Sequence, residues 1–195
     1  MIAGIILAAG ASSRMGRPKA LLEYRGETFV GRLARVLGNE CQPVIVVLGY
    51  HADELRERIP AGVQIVVNPD PSRGQLSSLQ TALAALPTTS QGFAFIPVDS
   101  PAVAESTVAQ LSRAFANRGE LTLFVIPRQG DKRGHPVFAA KTMAAEFLAL
   151  PPASKASDVV HARVDRTEYE DVADPGIFAD VDDPEEYRRL EERPA

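Results

Sequence analysis

The amino-acid sequence predicts an α/β fold: an open, mostly parallel sheet with helices on both faces. Two observations carry that prediction. Short apolar runs rich in Val, Ile and Phe recur along the chain, each three to six residues long, as expected of strands buried on both faces. Between them lie segments whose apolar residues recur at helical spacing. Regular strand–helix alternation gives parallel strands joined by right-handed crossovers, so the expected architecture is three-layer, α/β/α and Rossmann-like.

The elements follow in order. The first strand is IIL (5–7), inside MIAGIILAAG. Thr28 is placed to cap a helix on which Phe29, Leu33, Val36 and Leu37 share one face. VIVVL (44–48) is the second strand, and Leu55 and Ile59 mark a short helix in HADELRERI, begun by His51. VQIVV (63–67) is the third strand, followed by a helix that starts at Ser77 or Ser78 and carries Leu79, Leu83 and Leu86. FAFIPV (93–98) is the fourth, before a helix with Val108, Leu111 and Phe115. LTLFVI (121–126) is the fifth, and a hairpin-like stretch, RQGDKRGHPVF, and a Pro-rich one, LPPASKASD, come after it. Near the end, Asp183-Pro184-Glu185-Glu186 reads as a helix start: a cap, a proline in the first turn, then acids.

Composition narrows the function. The chain has 195 residues, of which 45% are hydrophobic and 24% charged, which fits one globular domain spanning 1–195. A net charge of −4 provides no basic surface for nucleic acid. The single cysteine, Cys41, excludes an internal disulfide and a Cys-rich metal cluster, and reads as a bystander. No apolar run reaches the roughly 18 residues of a membrane span, and the start has no basic leader. A cytoplasmic protein without a membrane partner is expected.

In open α/β sheets, ligands bind beyond the carboxyl ends of the strands. Four unusual loops fall there: LAAGASSRMGRPK after the first strand, Gly49-Tyr50-His51 after the second, NPDPSRGQLSS after the third and Asp99-Ser100-Pro101 after the fourth. The first loop is neither of the common phosphate loops. Five residues separate Gly10 from Gly16, and Arg17-Pro18-Lys19 follows, whereas a Walker A loop has four and a Lys–Ser/Thr. Its two glycines are also one short of a dinucleotide fingerprint. Its small residues still expose backbone N–H groups, and Arg14 and Lys19 add positive charge, which together suit phosphate. Met15 reads as packing beneath the loop.

With those residues in view, the chain resembles the nucleotidyltransferases related to molybdenum cofactor cytidylyltransferase and guanylyltransferase, within the wider nucleotide-diphospho-sugar transferase-like group. The resemblance runs through LAAGASSRMGRPKALL, NPDPSRGQLSSLQTAL, FIPVDSP, RGHPVF and DPGIFADVDDPEEY, in the family's order and over nearly the whole chain. It implies a nucleoside triphosphate donor, Mg²⁺ and a phosphorylated acceptor. By the same resemblance, Ala8, Ala9 and Gly10 meet base and sugar, and Arg14 and Lys19 grip the triphosphate as catalytic cations. Asp99 binds the metal with Asp180 or Asp182, which share one face of an extended segment. Asn68, Gly74, Gln75, Ser77 and Ser78 belong to nucleobase readout, and His135 of Arg133-Gly134-His135-Pro136 lines the acceptor side. His161 reads as surface.

The resemblance also implies the donor. LAAG matches the cytidylyltransferases and LAGG the guanylyltransferases, and the Ala9 methyl would crowd a purine, so CTP is expected. One departure stands out. Family members usually carry a stretch like G-D-x-G-A-R after the GHP motif, but this chain has LPPASKASDVV, leaving Lys155 as the cation there. The implied acceptor is molybdopterin or its molybdenum-loaded form, with a protein partner to receive the product. A sugar phosphate acceptor, GTP as donor, or a nucleotide-binding regulator without turnover are the alternatives. In the implied reaction the acceptor phosphate attacks the α-phosphorus in line, and no protein nucleophile is needed.

Overall fold

In the computed structural model, which describes residues 1–193, the apolar runs pair into one eight-stranded sheet. In chain order the elements are β1 (Ile2–Ala8), β2 (Glu23–Tyr24), β3 (Glu27–Thr28), α1 (Phe29–Gly38), β4 (Val44–Leu48), α2 (Ala52–Arg56), β5 (Gln64–Val67), α3 (Gln75–Ala84), β6 (Gly92–Pro97) and α4 (Glu105–Asn117). There follow β7 (Phe124–Gln129), β8 (Lys132–Arg133), β9 (Val137–Ala140), α5 (Met143–Ala149), α6 (Ala156–His161), β10 (Thr167–Asp171) and α7 (Pro184–Glu191).

The main sheet runs β10-β7-β9-β6-β1-β4-β5, with β8 hairpinned onto β7, while β2 and β3 form a small ribbon of their own. The pairs β6–β1, β1–β4, β4–β5 and β10–β7 are parallel. Only β9, inserted between β6 and β7, and the short β8 run antiparallel to their neighbours. The mostly parallel, three-layer architecture read from the sequence is therefore the one observed.

Alternation along the central strands supplies both faces. Ile6, Val46 and Ile96 point to one side, where α1 and α4 bring Leu33, Leu37, Leu111 and Phe115. Ile5, Ile45 and Phe95 point to the other, where α3 and α5 bring Leu79, Leu83 and Phe147. Because the strands are apolar on both faces, neither side can be left to water, and helices must cover both. Among the described residues, no helix is long and apolar enough to cross a membrane.

The structure corrects several boundaries. The fifth run does not extend as strand from Leu121: Thr122 N–H closes a turn onto the Gly119 carbonyl, 3.0 Å, and regular pairing starts at Phe124. The short helix after His51 stops at Arg56, and Ile59 packs on the core from beyond it. The helix expected to begin at Ser77 or Ser78 begins at Gln75, because Gly74 takes φ +85° and turns the chain into the first helical residue. Only glycine adopts that backbone at little cost. Ser77 and Ser78 thus stand inside the first turn and are not the cap. At α7, Asp183 does cap as expected, accepting from the N–H groups of Glu185 and Glu186 at 2.9 Å.

The candidate active site

The loop after β1 folds back on itself. Ser12 sits in the left-handed region at φ 52°, and its Oγ accepts the Lys19 N–H at 3.0 Å. This closure delivers Lys19 at the head of a 3₁₀ turn (Lys19–Leu21), its side chain 13% exposed and aimed across the strand ends. Lys19 Nζ donates to Asp99 Oδ2 at 3.0 Å and to Asp182 Oδ1 at 2.6 Å. Arg14 reaches Asp182 from outside, 3.5 Å from its Oδ2. Val181 N–H donates to the Asp99 carbonyl at 2.9 Å, so residues 163 positions apart along the chain, Lys19 and Asp182, meet at one point.

These charges are mutually adjusted. Burial pulls the Lys19 ammonium down, but the Asp182 hydrogen bond and the Asp99 charge outweigh it and hold its pKa above the usual value. Burial raises Asp99 more than Lys19 lowers it, and the nearby charges of Asp180 and Asp182 add to the rise. Asp182 is nearly half exposed, and its Lys19 hydrogen bond keeps it below the usual carboxylate range. An acid cluster of this kind, balanced by two cations, can exchange its partners when a charged ligand arrives.

Around it lies a cleft of about 240 Å³, walled by Ala8–Gly10, Arg14 and Lys19 on one side and by Gly74, Ser78 and Asp99 on the other. Of the residues expected at a site, these eight, Gln75 and Asp182 line it. Asn68 and Ser77 stand behind the wall. Asn68 is 4% exposed, and its Nδ2 donates to Ser77 Oγ at 2.8 Å and to Ser78 Oγ at 3.1 Å. It orients the first turn of α3. Asp180 is turned elsewhere as well: its Oδ1 accepts from Ser100 Oγ at 2.5 Å, and it borders a separate small hollow. Ala9 is 4% exposed, and a Cβ on Gly49 would lie only 2.7 Å from its methyl carbon. That methyl is therefore packed on the exit from β4.

A second hollow, of about 510 Å³, adjoins the first across Gly74 and Gln75, which line both. Its floor is apolar, with Phe95, Ile126 and Val160, and its rim carries Arg73, Arg133 and Lys155. His135 lines it too. Burial lowers the His135 pKa, the Asp180 charge opposes that, and its Nδ1 has no hydrogen-bond partner among the described residues. Such a surface suits an anionic ligand with a flat apolar body.

Sequence reasoning passed over four residues. His51 and Pro71 line the cleft, and Arg73 and His161 line the second hollow. His51 and Arg73 lie in loops already marked as unusual, so their position carried the signal. His161 ends α6 and had none. Among the described residues, no group of three or more His, Cys, Asp or Glu is arranged to hold a metal. The cleft instead offers two carboxylates, Asp99 and Asp182. That donor set fits a hard divalent cation that takes its other oxygens from phosphate and water.

A family model described as "MobA-like NTP transferase domain" matches residues 4–168. A probable molybdenum cofactor guanylyltransferase of Bacillus cereus is 32% identical over 142 residues, 71% of this chain and 66% of that relative, so the match spans just under two thirds of its length. Molybdenum cofactor cytidylyltransferase of Escherichia coli is 26% identical over 97% of this chain and 95% of its own. A nicotine blue oxidoreductase of Paenarthrobacter nicotinovorans is 41% identical over 56% of this chain and 55% of its own. Among solved structures, Rv0371c of Mycobacterium tuberculosis superposes with a TM-score of 0.85 at 30% identity over all of both chains. A structure of the same protein in complex with manganese gives 0.77 at 28% identity, covering 99% of each.

Proposed function

Because the chain belongs to the MobA-like NTP transferase family, we propose that it moves CMP from CTP onto the phosphate of molybdopterin or its molybdenum-loaded form, releasing pyrophosphate. The observation that carries this reading is the meeting of Arg14, Lys19, Asp99 and Asp182 in a cleft that opens, across Gly74 and Gln75, onto a basic-rimmed apolar hollow. Donor and acceptor would lie side by side in one domain spanning 1–195.

In the reaction, an oxygen of the acceptor phosphate forms a bond to the α-phosphorus as the bond from that phosphorus to the bridging oxygen breaks, and pyrophosphate leaves with the electron pair. Backbone groups of Ala8–Gly10 and the Ser78 hydroxyl orient the nucleoside, with Asn68 and Ser77 holding Ser78 in place. Arg14 and Lys19 let go of Asp182 and turn to the phosphates, where they stabilise the charge that grows on the leaving group. A divalent cation such as Mg²⁺ on Asp99 and Asp182, with Asp180 in support, would supply further charge neutralisation. Arg73, Arg133 and Lys155 hold the acceptor anion, and His135 helps to wall the hollow that takes its body. The product would pass to a protein partner in the cytoplasm.

The test is pyrophosphate release with Mg²⁺ or Mn²⁺, offering CTP, GTP, ATP and UTP against molybdopterin and a panel of sugar 1-phosphates. Release with CTP and molybdopterin, abolished by Asp99→Asn, is expected. Release confined to a sugar phosphate would overturn the acceptor, and release only with GTP would overturn the donor. A redox reading is favoured by the similarity to the nicotine blue oxidoreductase. It predicts instead reduction of a dye by an added electron donor, with no pyrophosphate formed.

A further inference from the structure

The loop after β4 contacts the cleft in a way that the proposed reaction does not use. Gly49, Tyr50 and His51 meet the loop after β1 at three successive places. Gly49 lies so near Ala9 that a Cβ there would come within 2.5 Å of the Ala9 carbonyl oxygen. Tyr50 N–H donates to that same carbonyl at 3.3 Å. His51 Nε2 is 3.0 Å from the Ala11 carbonyl oxygen. A carbonyl only accepts, so Nε2 must carry the proton and donate.

The rest of the loop is held from its other end, by Ser12 Oγ and by the ion pairs of Lys19. Ala9–Ala11 has no helix or strand of its own, and among the described residues the His51 imidazole is the only side chain hydrogen-bonded to it. His51 also lines the cleft, with its side chain 31% exposed, so the ring stands at the edge of the space the nucleotide would fill. A loop that must present its backbone to a ligand binds more tightly when it is held in that shape beforehand.

We infer that His51 is a positioning residue: its Nε2–H fixes the Ala9–Ala11 backbone in the shape that receives the nucleoside. The inference rests on the nucleotide-binding reading of the cleft. It predicts an effect on nucleotide affinity and almost none on the chemical step, because among the described residues no hydrogen bond or ion pair joins His51 to Lys19, Asp99 or Asp182.

The experiment compares His51→Phe, which keeps a ring and removes the donor, with His51→Gln, whose amide can donate from a similar distance. Nucleotide binding is measured by calorimetry with CTP and GTP, and kcat and KM are measured in the pyrophosphate assay. A lost positioning hydrogen bond is worth a factor of about 3 to 10 in Kd. His51→Phe should raise Kd and KM by that factor and leave kcat within about twofold. His51→Gln should recover most of the affinity, and both variants should melt close to the wild type. Gly49→Ala, which pushes on Ala9 directly, should weaken binding at least as much as His51→Phe. Unchanged Kd in His51→Phe overturns the inference, as does an equal loss in His51→Phe and His51→Gln. Failure of the wild type to bind any nucleotide overturns the nucleotide reading itself, a result that the variants cannot mimic.

Discussion

Replacing Lys19 by Met tests the charge balance at the centre of the cleft. The methionine keeps most of the length and the apolar stem but removes the two hydrogen bonds, to Asp99 at 3.0 Å and to Asp182 at 2.6 Å. Hydrogen bonds between charged groups contribute about 1.5–3 kcal/mol each when sheltered. Asp182 is nearly half exposed and rehydrates once released, so its share is small. The net loss should be about 2 kcal/mol, most of it from leaving Asp99 largely buried without its counter-charge. For a chain of this size that lowers the melting temperature by about 4–8 °C.

Two further readings separate this account from a simple packing defect. Without Lys19 the Asp99 carboxyl is raised still further, so the unprotonated acid becomes the source of instability. The deficit should therefore shrink as pH falls through the acid range, when the variant's Asp99 takes up a proton before the wild type's does. The freed acids should also accept a divalent cation with no ammonium to displace, so millimolar Mg²⁺ or Mn²⁺ without nucleotide should raise the variant's melting temperature more than the wild type's. Thermal melts followed by circular dichroism, across pH and with each cation, read all three. A melting temperature within about 1 °C of the wild type, or equal stabilisation of both proteins by the cation, would refute the reasoning.

Other consequences are as direct. Asp182→Asn should weaken divalent-cation binding in the presence of nucleotide far more than Asp180→Asn, because Asp182 lines the cleft and Asp180 is tied to Ser100; calorimetric titration with Mn²⁺ decides. Asp182 is held below its ordinary 3.8, so its contribution to stability is present above that pH and is lost as pH falls through the lowered value, which acid melts of wild type and Asp182→Asn would show. Asp174→Ala should cost about 2–4 kcal/mol in urea unfolding, since its carboxylate accepts from Ala104 N–H, Thr107 Oγ and Gly176 N–H at 2.7–2.8 Å. Cys41 is buried and its thiol is pushed up to about 12, so a thiol reagent should label it only on unfolding, and rapid labelling of the native protein would contradict that burial.

The parts of the fold that were legible are those where one local signal has one structural outcome. Continuous apolar runs such as 44–48 can only be buried on both faces, and Thr28 and Asp183 can satisfy the amides that follow them. Where two signals compete, the boundary moves. Ser77 and Ser78 have the side chains of a cap, but Gly74 can take a positive φ, and it opens the helix three residues before Ser77. Their hydroxyls are then used by Asn68, a partner nine and ten residues away in sequence. Nothing local could reveal that pairing.

The same distinction governs the site. Arg14, Lys19, Asp99 and Asp182 are legible because each lies at the carboxyl end of a strand or in a segment pinned beside one, and a sheet edge gathers such positions whatever the sequence between them. The side on which a small residue faces is not legible. Ala9 borders the cleft, yet its methyl lies against Gly49, so any influence it has on base choice must act through the position of the loop. The missing Gly/Arg stretch is a comparable case. Read along the chain, 150–160 leaves one cation, Lys155, for an anionic acceptor. Folded, that segment faces Arg73 from the loop after β5 and Arg133 from β8, and the hollow has a basic rim assembled from three separate places. Charge that a motif lacks can be restored by residues far from it, because an anion responds to the field at a point and not to the order of residues that produce it.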